Sequence, residues 1–450
     1  MALNAFTNIF RIAELRQRLA YTLALLAVYR VGIFITTPGV DRAAMQAFMQ
    51  DQTRAGGLVN LFNLFSGGAL EQMSIFGLGI MPYVSASIIM QLLAVVVPSL
   101  ERLKKEGAAG QQKLNQYTRY GSIVLSVIQG ISISRWLASL GRVADNTDAA
   151  SIDRIVVPND NLWFAFMTVV SLTAGTAFIM WLGERITERG IGNGISLIIF
   201  AGIVARIPSA IQQLVLLTEQ EVLNLGAVVA LGVFMLATVA AVVLIERGMR
   251  RLPVQYAKRM AGRHMFAGQA TYFPMKVNMS GVIPPIFAGA LLSVPVTLSR
   301  WIPVLGDVQR VLEADVWVYN GAFVLLIVFF AYFYTQLTFR PDDVADDIKK
   351  RGGYFPGIRP GRQSADYIAR VLNRVTFGGA LYLATICLIP SVISQIMGIN
   401  FPFGGTALLI VVGVALDTVQ QIEGHLISRS YDGFAGPRGP RIRGRMRVAA

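Results

Sequence analysis

The sequence predicts an all-α, polytopic membrane protein with ten transmembrane helices in two inverted-repeat halves. Three observations carry that expectation. The chain of 450 residues is 54% hydrophobic and only 15% charged, too apolar for an ordinary soluble globule. A window of about 19 residues finds apolar stretches long enough to cross a bilayer. They lie near 19–38, 74–97, 118–138, 162–182, 194–215, 223–245, 277–301, 316–338, 375–396 and 405–427, and none shows the two-residue alternation of barrel strands. Third, Gly79-Ile80-Met81-Pro82-Tyr83-Val84-Ser85-Ala86 is matched in the second half by Gly281-Val282-Ile283-Pro284-Pro285-Ile286-Phe287-Ala288. Both copies fall in the second apolar segment of their half. Five spans are an odd number of crossings, so the second half enters the membrane upside down relative to the first.

Residues 1–18 read as an amphipathic segment lying along the membrane interface, and no removable signal peptide is expected. The N-terminal half covers 19–215. Arg30 sits well inside its first span. An arginine near the bilayer centre costs about 2.5–3.5 kcal/mol on insertion scales, so it should face protein or water. A structural hydrogen bond to neighbouring backbone and a functional role are both consistent with that position.

The stretch 60–97 organises this half. Leu61, Phe62, Leu64 and Phe65 form a short amphipathic piece, Ser66-Gly67-Gly68 breaks it, and an apolar helix with Gly79, Pro82, Ser85, Ser87 and Gln91 follows. Backbone groups freed by glycine and proline are tolerated at membrane depth only beside protein or a water-filled cavity. The pattern therefore points to a pathway. Further on, 98–117 is a short basic loop and 139–161 a loop richer in aspartate. The glycines of GERITERGIGNGIS (183–196) follow no strand and lack dinucleotide spacing, so the segment reads as a tight turn with paired charges.

The C-terminal half covers 223–427. Its loops 246–276 and 339–374 carry 7 and 8 basic residues and are longer than a compact bundle needs. The first includes Arg247, Arg250, Arg251, Lys258 and Arg259; the second ends in a stiff PGIRPG tip around Arg359. Arginine-rich loops suit phosphate or carboxylate partners, either RNA or protein. A basic tail, 428–450, reads as solvated and disordered. Because lysine and arginine gather on the termini and alternate loops, both termini are expected in the cytoplasm, and most of the net charge of +14 reflects topology.

Several activities lack the residues they need. The single cysteine, Cys387, allows neither an intrachain disulfide nor a cysteine metal site. His264 and His425 lie far apart in sequence, and no Walker A motif is present, so energy for work must come from a partner or a gradient. No cofactor or metal is expected, and an intramembrane enzyme would need convergent acids, bases or ligands. A secondary transporter of a small solute is the alternative. It also uses inverted repeats and broken helices, but usually carries charge at midplane, where only Arg30 and Asp417 are candidates.

The most specific stretches are NLFSGGAL, FGLGIMPYVSASIIMQLL, KKEG with QYTRYG, GERITERGIGNGIS, YAKR, KVNMSGVIPPIFA and FPGIRPG. Through these the chain resembles the SecY family, from about residue 10 to 430. The resemblance implies a passive protein-conducting channel that hydrolyses nothing itself, with two five-helix halves around an hourglass pore. It makes 60–73 a plug that includes Leu61, Phe62, Leu64, Phe65, Ser66, Gly67 and Gly68. A pore ring falls on Ile80, Val84, Ile195, Ile199, Val282, Ile286 and Ile410, and a lateral gate between spans two and seven on Ser85, Ser87, Gln91 and Asn278. Implied partners are the small subunits SecE and SecG, the SecA motor ATPase, the ribosome, signal sequences and unfolded chains. RNA contact is implied only through the ribosome.

Overall fold

The computed structural model describes residues 12–42, 44–45, 66–145, 161–219, 224–256, 259–261, 264–266, 270–298, 303–397 and 404–435. The N-terminal half comprises α1 (Ala13–Gly32), α2 (Met81–Val96), α3 (Pro98–Lys105), α4 (Ala108–Asp145), α5 (Leu162–Arg189), α6 (Gly194–Val204) and α7 (Ile207–Glu219). The C-terminal half begins with α8 (Leu225–Glu246) and the strands β1 (Met249–Tyr256), β2 (Arg259–Ala261), β3 (His264–Phe266) and β4 (Ala270–Lys276). It continues with α9 (Ile283–Leu298), α10 (Pro303–Ala314), α11 (Val316–Thr338), α12 (Pro341–Lys350), β5 (Gly353–Tyr354), α13 (Arg362–Met397) and α14 (Gly405–Ala435).

Seven described helical segments are long and apolar enough to cross a membrane, and the pair α2–α3, bent by 99°, makes an eighth. The remaining two of the ten expected spans are α1, which carries Glu14, Arg16, Arg18 and Arg30, and the short apolar α9. Residues 13–18, read from sequence as part of an interfacial segment, run unbroken into the first span. Span five divides at Ala205-Arg206 into α6 and α7. Pro208 lies in the first turn of α7, where its missing N–H breaks no helical bond.

Two spans start later than their hydropathy suggests, and for the same reason. Helix was expected from 74 and from 277, yet α2 begins at Met81 and α9 at Ile283. Gly79 and Gly281 sit two residues ahead of these starts with φ of 56° and 61°, a left-handed geometry that glycine adopts freely and a right-handed helix cannot contain. The repeated glycine-proline pattern is therefore a repeated backbone event: a left-handed glycine, then a helix with proline in its first turn.

The halves repeat their packing. Within the first, α2 packs on α4, α4 on α5, α5 on α6, and α6 on α1. Within the second, α9 packs on α11, α11 on α13, α13 on α14, and α14 on α8. Span for span these are the same neighbours, as an inverted repeat requires. The halves meet where α2 and α4 touch α9 and, elsewhere, where α6 touches α14.

A small sheet, not foreseen from the sequence, interrupts the helical pattern. β1 pairs antiparallel with β4 from Met249↔Lys276 to Gln255↔Ala270, and its end pairs with β5 through Gln255↔Tyr354 and Tyr256↔Gly353. Leu252 and Val254 are buried from one face, the alternation expected of a half-covered strand. They join Met275, Ile348, Phe355, Ile368 and Leu372 in a hydrophobic core separate from the main one. The two basic loops thus form a single extramembrane subdomain.

Candidate functional site

The main hydrophobic cluster collects side chains from both halves. Ile80 and Val84 reach it from the start of α2, Ile199 from α6 and Ile410 from α14, all of them buried. Ile195, Val282 and Ile286 pack against the same cluster while half-buried. All seven expected ring residues, which come from four spans, thus belong to the one large core, together with aromatic side chains such as Tyr29, Phe76 and Phe330. Gly413, on α14, leaves room for Val282: a Cβ there would lie 3.0 Å from the Val282 Cγ2. The α6 end is fixed by Asn193, whose side chain accepts from the Ile195 N–H at 3.1 Å.

Of the expected plug residues, Leu61, Phe62, Leu64 and Phe65 lie outside the described residues, whereas Ser66, Gly67 and Gly68 are buried. Residues 66–80 run as turns rather than helix, so their backbone groups need other partners. Span one supplies several. Tyr29 donates its hydroxyl to the Ser66 carbonyl at 3.2 Å, and Arg30 donates to the Gly67 carbonyl at 3.3 Å. Thr37 N–H bonds the Met73 carbonyl and Ile75 N–H the Ile35 carbonyl. Arg30, ambiguous in the sequence, is spent on this irregular backbone rather than on Asp417. Sequence reasoning missed Tyr29, Glu71 and Arg206 around this segment, although an arginine inside an apolar span, two residues before Pro208, was a visible signal.

At the contact between α2 and α9, Ser85 is buried and Gln91 donates to Ser87 at 3.1 Å. The buried Gln91 carbonyl oxygen has no hydrogen-bond partner among the described residues. Asn278 is 2% exposed. It donates to the Glu246 carboxylate at 3.1 Å and to the Gly281 carbonyl at 3.0 Å, and accepts from Ser280 at 3.0 Å. Of the expected gate residues, Ser87, Gln91 and Asn278 therefore bond within their own halves.

Of the GERITERGIGNGIS segment, read from sequence as a tight turn, residues 183–189 complete α5 and only 190–193 turn before α6 starts at Gly194. Arg185 pairs with Glu188 at 2.9 Å and Arg119 with Glu184 at 2.6 Å. Gly192 N–H reaches across to the Gln421 side chain on α14 at 2.9 Å, one tie between the halves.

On the extramembrane subdomain Arg247, Arg250, Arg251 and Arg359 are exposed. Lys258 lies outside the described residues, and Arg259 falls on β2. Phe355, 1% exposed and 5.5 Å from the Tyr367 ring, roots the tip in the core. Gly357 and Gly361, at φ of 78° and 112°, turn the chain on either side of Arg359. Where this subdomain nears α3, burial and the neighbouring Arg340 hold the Lys104 ammonium below the ordinary lysine range.

Two halves that repeat one packing order, a hydrophobic core running through both and a turn-rich segment folded into it define a multi-pass membrane channel. The SecY family model matches residues 74–419. The protein translocase subunit SecY of Streptomyces galbus is 46% identical, with 96% of this chain and 99% of that protein covered. Its counterpart in Vibrio cholerae is also 46% identical, over 94% of each. A solved structure described as a protein conducting channel superposes with a TM-score of 0.63 at 17% identity, covering 93% of this chain and 94% of that one. Sec61 in a canine ribosome–channel complex superposes at 0.59 and 17% identity over the same shares. The chain belongs to the SecY family.

Proposed function

We propose that this chain is the central, pore-forming subunit of a protein translocase. It passes unfolded secretory polypeptides across the cytoplasmic membrane and releases transmembrane segments sideways into lipid. The observation that supports this reading is that Ile80, Val84, Ile195, Ile199, Val282, Ile286 and Ile410, from both halves, all lie in or against one hydrophobic core. A waist of aliphatic side chains excludes ions by dewetting, and it offers a passing chain no hydrogen-bonding group to hold. Residues 60–73 serve as the plug, and the α2–α9 seam, with Ser85, Ser87, Gln91 and Asn278, serves as the lateral gate.

The termini and the extramembrane subdomain face the cytoplasm. There Arg247, Arg250, Arg251, Lys258, Arg259 and Arg359 dock either the ribosome, whose RNA supplies phosphates, or a motor ATPase of the SecA kind. Small subunits of the SecE and SecG kind complete the assembly. The test is a stalled secretory chain challenged with a photoreactive group at Ile199 or Ile410. Crosslinks to the nascent chain are expected from both positions, whereas labelling confined to lipid-facing residues refutes the pore assignment.

A further inference from the structure

Residues 66–73, the base of the proposed plug, are tied to the N-terminal half by several bonds. Besides the bonds from Tyr29 and Arg30, two contacts come from span five. Gly67 and Gly202 approach so closely that a Cβ on Gly67 would lie 2.6 Å from the Gly202 Cα, and one on Gly202 2.9 Å from the Gly67 Cα. One helical turn further on, where the span breaks between α6 and α7, Arg206 pairs with Glu71 at 3.5 Å. Their side chains are 24% and 30% exposed, so this pair is shielded from solvent more than a surface bridge is. Removing Glu71 takes this counter-ion from a poorly solvated guanidinium.

We propose that the Glu71–Arg206 pair is an ionic latch that fastens the plug base to span five and holds the resting channel shut. The proposal rests on reading 60–73 as the plug. Arg206 is present because the helix break at Ala205-Arg206 turns its guanidinium toward the turns of 66–73. The break and the ion pair are thus one device. Because the latch runs to span five, parting the α2–α9 seam does not by itself open it. Opening the latch is a separate step.

The test uses full-length channel purified from membranes and reconstituted into lipid vesicles. Resting leak is read as iodide entry quenching an enclosed fluorophore. Glu71→Arg and Arg206→Glu are each expected to raise the leak about fivefold or more, the low end for coupling between sites. The double variant Glu71→Arg/Arg206→Glu should return it to the parent value. Parent-like leak in both single variants overturns the latch. A double variant as leaky as the worse single one does the same, since the positions then act independently. If a charge-reversed chain fails to insert, Glu71→Gln and Arg206→Gln replace it and are held to the same standard. Deleting residues 60–73 tests the plug reading separately. A tight deletion variant removes that reading, whereas a leaky deletion beside tight single variants removes the latch alone.

Discussion

Asn278 gives its side-chain amide to the Glu246 carboxylate at 3.1 Å, tying the end of α8 to the turn that starts α9. The same amide holds the Gly281 carbonyl, and Val277 N–H bonds the Gly248 carbonyl at 3.0 Å. Helix α9 thus leaves from a point fixed inside its own half, while it also packs on α2 of the other half.

Glu246→Ala should loosen that anchor. It leaves a buried amide short of one acceptor, at a cost of about 1–3 kcal/mol. Resting ion leak and export of a precursor with a weakened signal sequence should both rise. Glu246→Gln keeps an oxygen for Asn278 and should behave as the parent. An alanine variant indistinguishable from the glutamine variant would remove Glu246 from the gate.

Cysteines at Ser85 and Val282, in a Cys387→Ser background, should lock the seam on oxidation and stop export. Ser85 is on α2, Val282 lies at the start of α9, and these helices pack together. The bridge is verified by mass spectrometry, and reductant should restore transport. Full export with the bridge in place would place the gate elsewhere.

Arg359→Glu should lower motor-driven export about tenfold or more, the worth of a lost charge-assisted contact. Its thermal unfolding should match the parent, because the side chain is exposed and its turn is held by backbone and by Ser364, which donates to the Arg359 carbonyl at 3.0 Å. Normal export would reduce the tip to an orientation signal.

Phe355→Ala should destabilise the extramembrane subdomain by about 3–5 kcal/mol, the usual cost of emptying a buried aromatic site. Because 246–276 and 339–374 share that core, limited proteolysis should speed up in both loops together. Faster cleavage in 339–374 alone would mean two independent loops.

The membrane spans were legible because their signal is local. A run of apolar residues needs no tertiary context to prefer lipid. The inverted repeat was legible for a related reason: Gly79 and Gly281 recur with their prolines, and each demands the same backbone turn. The ring positions emerged only through family resemblance, since Ile199 or Ile410 alone is indistinguishable from helix packing. The sheet was less visible. Leu252, Val254 and Tyr256 do alternate, but three positions inside a basic loop are a weak signal for a strand whose partner at Tyr354 lies far along the chain.

The sequence by itself determined that this chain is a multi-pass helical membrane protein and that its halves are inverted copies, because hydropathy and glycine geometry act within a few residues. Only the tertiary structure decided which polar groups meet: Arg30 with the Gly67 carbonyl, Glu71 with Arg206, Asn278 with Glu246. Such pairs join residues distant in sequence. A buried charge or amide accepts whichever complementary group the packing of helices brings within reach, and no local pattern records that choice.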